Sequence, residues 1–494
     1  MILLLVGTVL TGAFWSISTP VGSSPDEVFH LGSIWCAQGN SAHCELPANA
    51  EGWRQTAKVP AFIAGAACFR VGPIQTRPYE SAVCQKAVEN DPALADTIIN
   101  HAGGYPGGFY SFMSMFVGPS IQLSVILMRL VNVLLFVGLL ASALFFVARR
   151  LRQSVLLTAA IGLVPVGFFL VFSVNPSAWA LMGILFYWVF LSELIVTPPS
   201  WRRTTPLVAL TIITGLLAVT SRSDSALYLG IVTVAAALQW LNPRELRRRF
   251  DLLVPVALSA WGAVVYLTSS QISHETGVKE AAGVGLLVRN FVEMPQWIFG
   301  NFGFSGTPTW PLGLSWFDVP VPVIVPGLVV MCLGGVSFLL RGNWGWRKIT
   351  AFAFTSGMFV LLPVLALQKR GWTGQGWMQP RYILPLILVA IAILWTTRTK
   401  DDEPIISGRA RSWFLIASLT VAMSASQYVL IRRFVSGLNG RLISLSNGAQ
   451  WWWHGMSLSP DLVWILGTLA TGVMFYGLIQ ASRPSQVRPI PSGS

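Results

Sequence analysis

Apolar runs of about 17 to 25 residues recur along almost the whole chain, and each is the length an α-helix needs to cross roughly 30 Å of hydrocarbon. Of its 494 residues 53% are hydrophobic and only 11% charged, which leaves little sequence for a soluble core. The expectation is an all-α integral membrane protein, because a helix satisfies its own backbone in lipid. Spans are placed near 1–18, 121–147, 154–173, 177–196, 206–220, 224–240, 252–270, 321–340, 349–367, 382–396, 412–430 and 461–481, each bounded by charge, proline or glycine. That makes about 12 transmembrane helices. Residues 1–18 lack a basic n-region and a clear small-x-small site before Pro20, so they read as a retained first helix rather than a cleaved leader.

A formal charge of +13 would suit nucleic acid if the basic residues formed one patch. They fall instead at alternate breaks between apolar runs, in "ARRLRQ", "WRR", "NPRELRRRF", "RGNWGWRK" and "TTRTK…GRARS". That is the positive-inside pattern of a multi-pass plasma-membrane protein, and no nucleic-acid partner is expected. Parity then puts residues 19–120, 271–320, 368–381 and 431–460 on the extracytoplasmic side and leaves 482–494 as a cytoplasmic tail. The outer segments hold all five histidines, His30, His43, His101, His274 and His454, and four of the five cysteines. Cys36, Cys44, Cys68 and Cys84 share the first loop, so two disulfides are expected, with three pairings open. A loop of this length calls for structure of its own, read here as short interfacial helices, one of them in "GGYPGGFYSFMSMFVGPS".

Where the first span ends, "SSPDEVFHLGSIWCA" puts Asp26, Glu27 and His30 within five residues. Ser24, Pro25 and Glu27 could simply start a helix through a capping box. His30 lies one turn from Asp26 and three residues from Glu27, able to share a face with either. The group could remove a proton from a hydroxyl or, less specifically, hold a divalent cation. No other cofactor is indicated.

An acid pair just after the first of about a dozen spans resembles the GT-C superfamily of membrane glycosyltransferases. More closely, the chain resembles a bacterial family of predicted multi-spanning membrane proteins of unknown function, itself assigned by similarity to that superfamily. The matching pieces are "SPDEVFHLGSIWCA", "GGYPGGFYSFMS" leading into "LMRLVNVLLFVGLL", "FSVNPSAWALMG" and "GQGWMQPRYILPLILVAIAIL", from residue 23 to about 394. Ser177 departs from the pattern, which there carries an acid.

The resemblance implies sugar transfer from a polyprenyl-phosphate donor to an envelope glycan acceptor at the membrane lipid's outer surface. Asp26 would act as base, with Glu27 and His30 orienting it or the acceptor. Such chemistry needs cations near the leaving phosphate. Arg381, beginning a span in the "RY" match, is the first candidate, with Lys369 and Arg370 beside it in a short outer loop. Arg222, next to Asp224, and Arg129, inside the second span, are further candidates, though Arg129 could equally brace the bundle. Tyr105, Trp372, Trp377, Gln379 and Tyr382 are candidate substrate contacts, and Trp297, Trp310, Trp316 and "WWWH" at 451–454 add aromatic surface. The alternatives are a transporter or flippase of a lipid-linked glycan and a non-catalytic envelope-assembly subunit.

Overall fold

The computed structural model describes residues 1–48, 54–71, 77–100, 104–242, 244, 249–270, 282–306, 312–339, 344–374, 378–397, 406, 408–439 and 443–482. Its longer helices are α1 (Ile2–Ser16), α2 (Glu27–Trp35), α3 (Gly108–Met113), α4 (Ile121–Phe146), α5 (Arg149–Gly162), α6 (Val166–Val171), α7 (Pro176–Val196) and α8 (Trp201–Ser221). They continue as α9 (Ser223–Trp240), α10 (Leu253–Thr268), α11 (Val284–Gly300), α12 (Ile324–Leu339), α13 (Trp346–Arg370), α14 (Leu384–Leu394), α15 (Arg409–Val435) and α16 (Pro460–Ser482). Every stretch expected to span carries helix. By length and composition, seven of these are long and apolar enough to cross a membrane: α4, α7, α8, α10 with the turn from Phe250, α13, α15 and α16.

One expected span is not a single helix. Residues 154–173 divide between α5 and α6 at Leu163, Val164 and Pro165, with a cis Val164–Pro165 peptide. A proline has no N–H to continue the ladder and collides with the preceding turn, so the chain breaks there.

The middle of the bundle is α7, which is apolar all round and almost wholly buried, as such a helix must be. It packs against α6, α8, α9 and α14. Its one acid, Glu193, accepts the Ala148 N–H at 2.9 Å and the Thr197 hydroxyl at 3.3 Å. This carboxylate therefore caps the start of α5 from a neighbouring helix.

The first helix is clasped by the last. A Cβ on Gly7 would lie 2.6 Å from the Met474 nitrogen, and one on Gly477 would lie 2.4 Å from the Leu4 nitrogen. The two backbones touch through glycines on both sides, the close approach that small residues allow between helices in lipid.

The chain is mostly helical, as expected, but the first loop is not built of short helices alone. Besides α2 and α3 it contains a two-stranded antiparallel sheet, β1 (Arg54–Pro60) with β2 (Leu94–Asn100), in register from Arg54 opposite Asn100 to Pro60 opposite Leu94. Gly32 of α2 lies against Thr97 and Ile99 of β2. Of the three pairings left open, the structure forms Cys36–Cys44 and Cys68–Cys84. Residues 483–494 of the expected tail lie outside the described residues.

Gly477→Leu has no room against backbone and is expected to cost about 1–3 kcal/mol, the usual price of overpacking. Thermal unfolding in detergent micelles checks this. Gly334→Leu, where nothing lies within 4 Å of a Cβ, is expected to leave the melting temperature unchanged.

Candidate functional site

The segment between α1 and α2 has no regular backbone pairing, and a side chain from α4 supplies it. Arg129 donates from Nη1 to the Ser16 and Thr19 carbonyls, both at 2.8 Å, and from Nη2 to the Pro20 carbonyl at 2.8 Å. Nη2 also reaches Glu27 Oε1 at 3.1 Å, in an ion pair whose side chains are 1% and 0% exposed. The other Glu27 oxygen accepts the Ser24 N–H at 2.8 Å, half of the expected capping box. Ser24 does not complete it: its hydroxyl is buried without a partner, and α2 starts later than expected, with Asp26 at its N-cap position. Two sequence expectations are corrected here. Of the two roles open to Arg129 the structure shows the brace, not the phosphate contact, and Glu27 is its buried counter-ion rather than a group that orients Asp26 or the acceptor.

Three further contacts fix the turn. Ser315 Oγ donates to the Ser23 carbonyl and Trp316 Nε1 to the Gly22 carbonyl, both at 2.8 Å. Asn175 Nδ2 donates to the Pro25 carbonyl at 2.7 Å while its Oδ1 caps α7 at the Ser177 N–H. Ser315 and Phe317 sit at φ 59° and 64°, and Asp26 at φ 61°. Left-handed backbone is tolerated by aspartate and is costly for phenylalanine.

That left-handed residue sends the Asp26 side chain away from Glu27. Its Oδ2 accepts from Arg381 Nη2 at 2.6 Å, and the Asp26 side chain is 39% exposed while that of Arg381 is 1% exposed. Arg381 Nη1 also reaches the Pro25 carbonyl at 3.4 Å. Burial pushes the Asp26 carboxyl up, but the charge and hydrogen bond of Arg381 outweigh it, and the group stays below the ordinary carboxylate range.

Arg222, the one residue between α8 and α9, binds Asp224 through Nε at 2.9 Å and Nη2 at 2.8 Å. Its guanidinium lies 4.7 Å from the Tyr382 ring and 5.6 Å from that of Tyr105. Tyr382 is therefore shared, because Arg381 lies 5.4 Å from the same ring. Tyr105 meets His30 edge to face at 5.5 Å, and burial beside these groups lifts its phenol to about 12. His30 Nδ1 is 3.0 Å from the Tyr110 hydroxyl, and Nε2 is buried without a partner. Burial pushes this imidazole down to about 3, so it is neutral at physiological pH. Asp26, His30, Tyr105, Arg222, Arg381 and Tyr382 thus meet at one end of the bundle.

Other candidates lie elsewhere. Lys369 and Arg370 form the last turn of α13, which closes on Gly371 at φ 69°. The Gly371 N–H bonds the Gln368 carbonyl and the Trp372 N–H bonds the Leu367 carbonyl, so "KRGW" is a Schellman stop with its cations on the favourable helix end. Arg370 lies 5.1 Å from the ring of Trp372. Trp372 is itself buried, its carbonyl held by Asn290 at 2.9 Å, which argues for packing rather than sugar contact. Gln379 is half-buried, with its Oε1 unpartnered. Trp377, Trp310, His101 and His274 lie outside the described residues. The candidate cation ligands are drawn apart, Glu27 to Arg129 and His30 to Tyr110, and among the described residues no three His, Cys, Asp or Glu gather.

Sequence reasoning missed the roles of Asn175 and Ser315 and read Trp316 only as aromatic surface, not as a strut of this turn. Only the first had a signal, since Asn before Pro at a helix start is a capping pattern that leaves its amide free to reach outward.

These features define a helical membrane protein whose charged cluster is built on its first interhelical loop. The chain belongs to the family described as predicted membrane protein, DUF2142, whose model matches residues 9–390. That stretch contains every residue of the cluster. No curated protein matches the chain.

Arg129→Met strands a buried carboxylate and is expected to cost about 3–5 kcal/mol, read by unfolding in micelles. Adding Glu27→Leu should recover part of this but not all, because the Ser16, Thr19 and Pro20 carbonyls remain unpartnered. His30 makes a second prediction. Its folded value lies below the unfolded 6.5, so the unfolded chain binds the extra proton and stability falls as pH drops from about 6.5 towards 3. The melting temperature of His30→Gln should change less than that of the parent between pH 6.5 and 4.5.

Proposed function

We propose that this protein is a GT-C-type membrane glycosyltransferase of about twelve spans. It moves a sugar from a polyprenyl-phosphate donor to a glycan or glycolipid acceptor at the extracytoplasmic face of the plasma membrane. The observation that carries this reading is the pair formed by Asp26 and Arg381 at 2.6 Å, a partly exposed carboxylate on a buried guanidinium, at the start of α2.

The pair suits an exchange. A donor phosphate approaching Arg381 competes with Asp26 for the same N–H groups, and phosphate is a strong bidentate acceptor for guanidinium. Losing that partner raises the basicity of Asp26 as substrate arrives. Asp26 then takes the proton of the acceptor hydroxyl, the oxygen bonds to the anomeric carbon, and the bond from that carbon to the phosphate oxygen breaks. The electron pair leaves on the phosphate, where Arg381 and, through the shared Tyr382, Arg222 oppose the growing charge. A single displacement of this kind inverts the anomeric centre. Neutral His30 and the Tyr105 phenol supply polar edges for a sugar hydroxyl.

The test is transfer from radiolabelled polyprenyl-phosphate sugars to envelope acceptors by purified protein. Asp26→Asn, with an unchanged melting temperature, is expected to lower turnover by about 10²–10⁴, the range for loss of a general base. Equal turnover in parent and variant would reduce Asp26 to a turn residue.

A further inference from the structure

Among the described residues, most charges around the cluster cancel in pairs. Arg381 is taken by Asp26, Arg222 by Asp224, Arg129 by Glu27 and Arg433 by Asp318. Arg70 is not taken. Its guanidinium carbon lies 3.4 Å from the centre of the Trp316 ring, and its Nε is buried without a partner. The carboxylates that act on it through space are Asp26 and Asp318, each already bound to a different arginine. Arg77 adds a like charge nearby. Among the described residues no carboxylate bonds Arg70.

The residue is also held in place. Arg70 ends the short turn Cys68–Arg70, which the Cys68–Cys84 disulfide ties to the following segment. Trp316 beneath it is anchored to the Gly22 carbonyl, four residues before Asp26. An indole face restrains a guanidinium by cation–π attraction without using its N–H groups as hydrogen-bond donors. A partly exposed arginine stacked on an indole, with no acid bonded to it among the described residues, has the chemistry to receive an anion.

We infer that Arg70 is a second anion-contacting residue beside Asp26 and binds phosphoryl oxygens of the lipid-linked substrate. This rests on the transferase reading for the identity of the substrate, and on the cluster alone for the anion. Arg70 comes from the disulfide-closed loop and Arg381 from the turn just before α14, and Asp26 interacts with both, so a phosphate beside Asp26 would be held by two separate elements.

The experiment measures binding of a short-chain prenyl monophosphate, the neutral prenol and inorganic phosphate to the full chain in detergent micelles. Arg70→Gln is expected to weaken prenyl-phosphate binding about tenfold or more, as loss of a charge-assisted hydrogen bond does. Prenol binding should stay unchanged, as should both ligands with the remote Arg202→Gln. Displacement by inorganic phosphate at similar concentration would mark a free anion as the ligand, and a requirement for the prenyl chain would mark the lipid; both leave Arg70 as receptor. Unchanged prenyl-phosphate affinity in Arg70→Gln overturns the inference.

A second measurement needs no variant. Prenyl phosphate should protect Arg70 of the parent protein from phenylglyoxal, followed by mass spectrometry, and absence of protection likewise overturns the inference. Phosphate bound through Arg70 with no sugar ever transferred would keep this inference and remove the transferase reading. Sugar transfer that persists with unchanged phosphate affinity in Arg70→Gln would do the reverse.

Discussion

A buried guanidinium organises everything the candidate site depends on. Between α1 and α2 the chain turns back at the end of a short apolar helix, where carbonyls run out of helical partners. Water is excluded there, and an unpaired carbonyl costs about 1–3 kcal/mol. Arg129 answers three such groups at once, those of Ser16, Thr19 and Pro20. Its charge would be costly in that position without Glu27, which accounts together for an arginine within an apolar helix and a buried acid at the start of α2. Removing either therefore affects a backbone path as well as an ion pair.

The same logic extends outward through the turn. Gly22, Ser23 and Pro25 present their carbonyls to Trp316, Ser315 and Asn175, which belong to two segments far apart in sequence. Neither segment could be recruited by local pattern. The 312–321 loop holds Ser315 and Phe317 in left-handed backbone, and it carries the buried Asp318 that binds Arg433 at the end of α15. The position of Asp26 thus draws on α1, α4, α7, this loop and α14. A site assembled this way is rigid because each strut also completes some other element: Asn175 caps α7, and Trp316 supports Arg70.

How much of this could be read from sequence follows from the range of each interaction. Membrane-length helices are legible because apolar length is a local property, and seven meet the length and composition needed. Asp26 and Arg381 stood out because charge is rare in such a chain. The strands were hidden although β1 alternates correctly, with Ala57 and Val59 buried and Lys58 exposed. Their partners are more than thirty residues apart, and no short turn announces the pairing. The interfering signal at Lys369 and Arg370 was one of class: two cations in an outer loop looked functional, whereas the next residue, Gly371, makes them the end of a helix. Arg70 gave no signal because its significance is the absence of a partner, which only three-dimensional pairing reveals.

Adjacent acids with opposite fates give the clearest account of why the motif has this form. Asp26 and Glu27 differ by one methylene, and either could pair with an arginine. The left-handed backbone at Asp26 separates them, turning Glu27 inward to Arg129 and leaving the shorter acid 39% exposed against Arg381. Glutamate at 26 would tolerate that backbone less well than aspartate, whose short polar side chain visits it more readily. Aspartate at 27 would be a methylene short of the Arg129 guanidinium while holding the Ser24 N–H. The order Asp then Glu thus suits this structure, and the division it makes is between a buried acid that holds the loop and a partly exposed acid that pairs with Arg381.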